Sequence, residues 1–159
     1  MAFGEATGIK LEAPGSRLQP EWRSSGIECS LRCFAAGDAA ALSARFSEDA
    51  QLLLVHSEPI EGRPAILAHW TRLFSAYDTS AWMVERMLVD VHADRAYALS
   101  TYSETLVPRH GGPSRLVNGR LVLFLRRDAE GAWLVTVAMN AHVRPVEEVS
   151  GAWQKGGTP

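Results

Sequence analysis

The chain lacks most of what specialised chemistry requires. Its 159 residues include only two cysteines, too few for a disulfide framework. Cys29 and Cys33 stand four apart, which puts them on one face of a helix. They read as small buried hydrophobes or as half of a metal pair, although no nearby histidine or cysteine completes a set. The five histidines show neither H-x-x-x-H nor H-x-H spacing, so neither a metal nor a cofactor is expected. There is no G-x-x-x-x-G-K and no G-x-S-x-G, and "HGG" at 110–112 is too short for a phosphate loop. Nucleotide binding and serine-hydrolase chemistry therefore have no support. No apolar run approaches the roughly 18 residues that span a membrane. The opening "MAFGEATGIKLEAPG" has no basic region followed by a long apolar stretch. The expectation is a cytoplasmic protein without a membrane partner. The formal net charge is -2 and the pI about 6.2, and "FLRRD" is only a pair of arginines. A nucleic-acid partner is not expected, because such proteins carry a basic patch.

What is present is a well-patterned apolar chain. Hydrophobic residues make up 47% and charged residues 21%, a composition that suits one domain with a substantial core. Residues 1–19 are rich in Gly, Ala, Pro and Ser without periodicity, and are expected to form a flexible arm. Residues 20–149 form the domain, and 150–159 a flexible tail. A first helix is expected from Pro20, with Ile27, Leu31 and Phe34 at helical spacing. Gly37 stops it, and Asp38 can cap a second helix, "DAAALSARF". The run "AQLLLV" (50–55) fits a short buried strand. A third helix, "EGRPAILAHWTRLFSAY", carries Ile66, Trp70, Leu73, Phe74 and Tyr77 on one face.

After Asp78 the pattern changes. "AWMVERMLVDVHA", "RAYALSTYSETLV", "SRLVNGRLVLFLRR" and "GAWLVTVAMNAHV" are rich in β-branched and aromatic residues. The turn signals "HADR", "PRHGGPS" and "DAEG" separate them. Consecutive strands with short turns make an antiparallel meander, and helices first with a sheet second define an α+β domain. The expected architecture is a cone: three N-terminal helices packed on a strongly curved antiparallel sheet, with a cavity between.

This order of elements, with "AAGDAAALSARFSEDAQL", "IEGRPAILAHW" and "LVLFLRRDAEGAWLVTVAMNAHV", resembles the cone-shaped fold shared by nuclear transport factor 2, ketosteroid isomerase and the SnoaL-like polyketide cyclases. The resemblance covers roughly residues 22–145. The nearest pattern is the SgcJ/EcaC-like subgroup, whose "RRDGxWxVxxxHNTxV" is similar to "RRDAEGAWLVTVAMNAHV" here. It implies the fold, and a place in natural-product biosynthesis. It does not imply one reaction, because the fold hosts isomerases, cyclases, dehydratases, hydrolases and non-catalytic proteins. The isomerases use a carboxylate base, a tyrosine and a protonated aspartate. Alignment puts these at Leu53 or Leu54, near Ser30 and near Leu123. All three groups are missing from those places, so an isomerase mechanism of that kind is not expected.

Strand alternation sorts side chains between the two faces of the sheet. In the last strand, Leu134, Thr136, Ala138, Asn140 and His142 share the face that the resemblance assigns to the cavity. Trp133, Val135, Val137 and Met139 share the outer face. Gly119, Leu121, Leu123 and Leu125 face inward from the strand before, with Val122 and Phe124 outward. Ser100, Tyr102 and Glu104 face inward, with Tyr97 and Leu99 outward. The expected cavity is apolar with a few convergent polar groups, as small-molecule sites are.

Glu104, Tyr102 and His56 are the candidate catalytic groups. A buried Glu104 would have a raised pKa and could move protons; alternatively it is hydrated near the open end or paired with Arg109 or Arg115. Tyr102 could orient a ligand carbonyl or simply pack. His56 could shuttle protons or sit in solvent on its loop. Asn140, Trp70, Leu54, Leu121, Leu123, Thr136 and His142 are the candidate substrate-binding residues. His69 reads as a packing residue.

Two functions fit. One is a cofactor-independent enzyme acting on an apolar metabolite by an acid/base step such as cyclisation, isomerisation or dehydration. The other is a non-catalytic binding or accessory protein. Under either, the apolar outer sheet face predicts a homodimer.

Overall fold

The computed structural model describes residues 26–149. The arm expected over 1–19, the helix start at Pro20 and the tail at 150–159 lie outside the described residues. Helix α1 (Gly26–Ala36) ends where Gly37 takes a left-handed φ of 67°. The Gly37 N–H donates to Phe34 O and the Asp38 N–H to Cys33 O, both at 3.0 Å. This is the Schellman arrangement, which satisfies the helix's last carbonyls. Asp38 then caps α2 (Ala39–Ser43) by accepting from Ala41 N at 2.9 Å.

The second helix is shorter than its sequence pattern suggests. Arg45 O accepts from Val135 N at 2.8 Å, and Phe46 is buried as the first residue of β1 (Phe46–Leu53). Pairing with the sheet overrides the helical tendency of "SARF", and β1 starts before the expected Ala50. After β2 (Ile60–Glu61), Gly62 turns the chain at φ 82° into α3 (Arg63–Ala76). Ile66, Trp70 and Phe74 recur every four residues and are the buried stripe of α3. Tyr77, expected on that stripe, is extended instead and opens β3 (Tyr77–His92). Arg109 meets the helix end there, its backbone N–H donating to Ala76 O and its Nε to Phe74 O.

Strands β4 (Arg95–Pro108), β5 (Ser114–Arg127) and β6 (Trp133–His142) complete the antiparallel meander, and β7 (Glu147–Val149) pairs with the start of β5. The sheet order is β2-β1-β6-β5-β4-β3, with β1 parallel to β6. The strongly curved sheet forms a half-barrel against the helices, an α+β cone. Ile66 and Phe74 of α3, Ile27 and Leu31 of α1, and Leu123, Leu125 and Val135 of the sheet share its core.

One irregularity changes the inward and outward assignment of β6. Phe124 faces Val137, but Leu125 faces Val135, so Thr136 is an extra residue in β6. Its hydroxyl donates to Phe124 O at 3.2 Å. A bulge of this kind shifts the alternation by one. Trp133 and Val135, expected on the outer face, are therefore buried at 8% and 2% exposure, and Arg127 covers the Trp133 ring at 4.7 Å. Beyond the bulge the expected pattern resumes, with Ala138 and Asn140 inward and Met139 outward.

Candidate active site

The helices and the concave sheet face enclose a cavity of about 80 Å³. Its walls come from α1 (Leu31, Phe34), α3 (Trp70) and the sheet strands, and they are mostly apolar. Seven of the ten residues picked out from the sequence line it: Glu104, Tyr102, Asn140, Trp70, Leu54, Leu121 and Leu123.

The other three lie elsewhere. Thr136 is spent on the bulge. His142 stands on the Asn140 side of β6 but is exposed at the strand end. His56 is exposed in the loop after β1, with a left-handed φ of 58°. His69 is half-buried against Trp70, with ring centroids 4.8 Å apart, and burial followed by the Arg72 charge lowers its pKa. That fits the packing role.

Glu104 is the centre of the site. Strand alternation points it inward, and its cross-strand neighbours are Trp82 on β3 and Val117 on β5. It is 7% exposed. The arginines that could have paired with it are engaged elsewhere, Arg109 on Phe74 O and Arg115 over the Tyr77 ring at 6.0 Å. Its Oε1 is buried with no hydrogen-bond partner among the described residues. Loss of hydration without a compensating charge penalises the ionised form, and burial pushes the Glu104 carboxyl up to about 7.

Tyr102 lies two residues earlier on the same face. Its hydroxyl donates to Asn140 Oδ1 at 2.8 Å, which joins β4 to β6 across β5. The bond is possible because Gly119 stands opposite Tyr102 on β5. A Cβ at Gly119 would overlap the phenol ring. Burial, opposed by the Asn140 hydrogen bond and reinforced by the Glu104 charge, raises the tyrosine pKa to about 12. Tyr102 thus stays protonated and acts as a hydrogen-bonding group, not as a base.

Aromatic rings frame this centre. Phe34 contacts Trp70 at 5.5 Å and Trp82 at 5.3 Å, and Trp82 contacts Tyr102 at 6.0 Å. The Trp70 indole Nε1 is buried and, among the described residues, has no partner. Trp82 went unrecognised as a wall residue in the sequence. Its signal was the β3 alternation together with the register that sets it opposite Glu104.

Leu54, Leu123 and Ser30 also line the cavity. By the resemblance, these positions correspond to the isomerases' carboxylate base, protonated aspartate and tyrosine, and none of those three groups stands there in this chain. Among the described residues no cluster of metal-ligating side chains occurs.

The architecture is an α+β cone around an apolar cavity that holds one carboxyl group. The SnoaL-like domain family matches residues 27–135, and the chain belongs to that family, within the nuclear-transport-factor-2-like fold. No curated protein matches the chain in sequence. Several solved structures share its fold. A hexachlorocyclohexane dehydrochlorinase, LinA type 2, superimposes with a TM-score of 0.71 at 13% identity, covering 86% of this chain and 94% of that one. A candidate scytalone dehydratase from Novosphingobium aromaticivorans gives 0.69 at 16% identity, covering 83% and 89%. A ketosteroid isomerase-like protein from Erwinia carotovora atroseptica gives 0.65 at 19% identity, covering 75% and 95%. At these identities the likeness is one of fold.

Proposed function

We propose that this protein is a cofactor-independent acid/base enzyme in which Glu104 moves a proton on a small, mostly apolar substrate. The supporting observation is the buried Glu104 carboxyl in an apolar cavity, its Oε1 without a hydrogen-bond partner among the described residues, with a pKa of about 7. A carboxyl poised near neutrality can both take and return a proton at working pH. Tyr102 and Asn140, hydrogen-bonded to each other, shape the polar side of the wall beside it. Ionised Glu104 removes a proton from carbon next to a carbonyl, leaving an enolate. The protonated acid then returns that proton to a different carbon of a conjugated enolate, giving isomerisation, or to a hydroxide departing from the β-carbon, giving dehydration. The two solved neighbours named as a dehydratase and a dehydrochlorinase are compatible with this reaction class on this fold. A role in natural-product biosynthesis, which the SgcJ/EcaC-like pattern of "RRDAEGAWLVTVAMNAHV" suggests, belongs to the same proposal.

The test needs no native substrate. Exchange of the α-protons of cyclohexanone in D₂O is followed by NMR with wild-type protein and with Glu104→Gln. Wild type should exceed buffer, and the variant should lose about tenfold or more of that excess. Equal exchange by both proteins would remove Glu104 from the chemistry. A second reading, a non-catalytic ligand holder, draws on the apolar residues at the isomerase positions. It predicts binding of the ketone without exchange.

For partners, we propose a homodimer through the outer sheet face. Leu88, Leu99, Val122 and Met139 form one cross-strand row, and Tyr97, Phe124 and Val137 form the next. Within them Leu99 is 43% and Phe124 47% exposed. A contiguous apolar surface of this kind favours association with a second copy.

A further inference from the structure

We propose that the cavity selects a compact apolar molecule carrying one uncharged oxygen, a carbonyl or hydroxyl, and that Trp70 Nε1 and Glu104 are its two polar anchors. The proposal deepens the acid/base reading and rests on it for the role of Glu104. It stands first on the donors and acceptors of the wall. Trp70 Nε1 and Glu104 Oε1 are both buried without a partner among the described residues, and both residues line the same cavity. An unsatisfied buried polar atom is costly, so an occupant that satisfies both relieves two penalties at once. The Tyr102 proton is already given to Asn140, so Trp70 supplies a donor that the wall itself has not used.

Charge decides what the oxygen must be. Among the described residues no lysine, arginine or histidine lines the cavity, so a carboxylate ligand would sit beside Glu104 with no counter-charge from them, a costly burial. An ammonium ion could pair with Glu104, but it has no acceptor and would leave the Trp70 N–H unpaired. A carbonyl accepts from Trp70 and from protonated Glu104. A hydroxyl accepts from Trp70 and donates to ionised Glu104. Size sets the remaining limit. A water-sized group needs roughly 10–15 Å³ of such space, so a cavity of about 80 Å³ takes about five to eight non-hydrogen atoms. The aromatic walls of Phe34, Trp70 and Trp82 favour a ring.

The test uses the full chain and five probes of one shape: cyclohexanone, cyclohexanol, methylcyclohexane, cyclohexanecarboxylate and cyclohexylamine. Binding is read from the indole N–H resonances in ¹H–¹⁵N spectra, with Trp70→Phe identifying the Trp70 signal. The ketone and alcohol should bind more tightly than the other three and move the Trp70 resonance. Trp70→Phe should weaken ketone binding about two- to tenfold, the range of one neutral hydrogen bond, while leaving methylcyclohexane affinity within twofold. The proposal is overturned by tighter binding of the carboxylate or amine, by equal binding of the hydrocarbon, by a Trp70 resonance that ignores a bound ketone, or by no probe binding at millimolar concentration. Ketone binding that moves Trp70 but supports no proton exchange would sink the acid/base reading and leave this one standing.

Discussion

Glu104 meets apolar residues on both neighbouring strands, and that sets how the protein responds to pH. Its folded pKa of about 7 lies above the ordinary 4.5. The folded state therefore holds this proton more tightly than the unfolded chain does. The associated stability is fully present below pH 4.5 and is lost as pH rises through 7. The difference of about 2.5 pK units corresponds to a penalty on the order of 3 kcal/mol once the group is ionised. Urea denaturation at pH 5 and pH 8 should show wild type losing on the order of 2–3 kcal/mol relative to Glu104→Gln. Parallel behaviour of the two proteins would mean that the carboxyl is hydrated or paired. The sequence showed that Glu104 faces inward, because period-two alternation is simple to read. It could not show that Arg109 and Arg115 turn away, because their partners, Phe74 O and the Tyr77 ring, lie on segments brought together only by the fold.

Single elements carry the site's precision. The phenol of Tyr102 crosses β5 only where Gly119 has no side chain. Gly119→Ala should cost about 1–3 kcal/mol by overpacking, and the cost should shrink when Tyr102→Ala is combined with it. Additive losses in that double-mutant cycle would show that the two residues do not press on each other. Asp38→Ala should cost about 0.5–2 kcal/mol in chemical denaturation, the usual value of an N-cap; no loss would show that α2 does not depend on its cap. The cap and the Gly37 stop were legible because each is a local rule written in one or two residues. The bulge at Thr136 was not. One extra residue leaves no mark in an apolar run such as "WLVTVAM", and the shift arises from pairing with β5, which needs the partner strand. The same limit explains Phe46 and Tyr77, where sheet pairing won over helical pattern.

At the scale of the molecule, the cone and its cavity were legible from element order, while the cavity's contents depended on register. The outer face should make the protein a dimer at micromolar concentration by light scattering, and Phe124→Glu should yield a monomer that retains its fold. A wild-type monomer under those conditions would contradict the proposed interface. Within the described residues no helix is long and apolar enough to cross a membrane. The central claim concerns the inside of the cone: a buried carboxyl in an apolar cavity, proposed to move a proton. It is tested most directly by following the Glu104 side-chain carboxyl by ¹³C NMR as pH is varied, with Glu104→Gln identifying the signal. A midpoint near pH 7 is the predicted result, and a midpoint near 4.5 would contradict it.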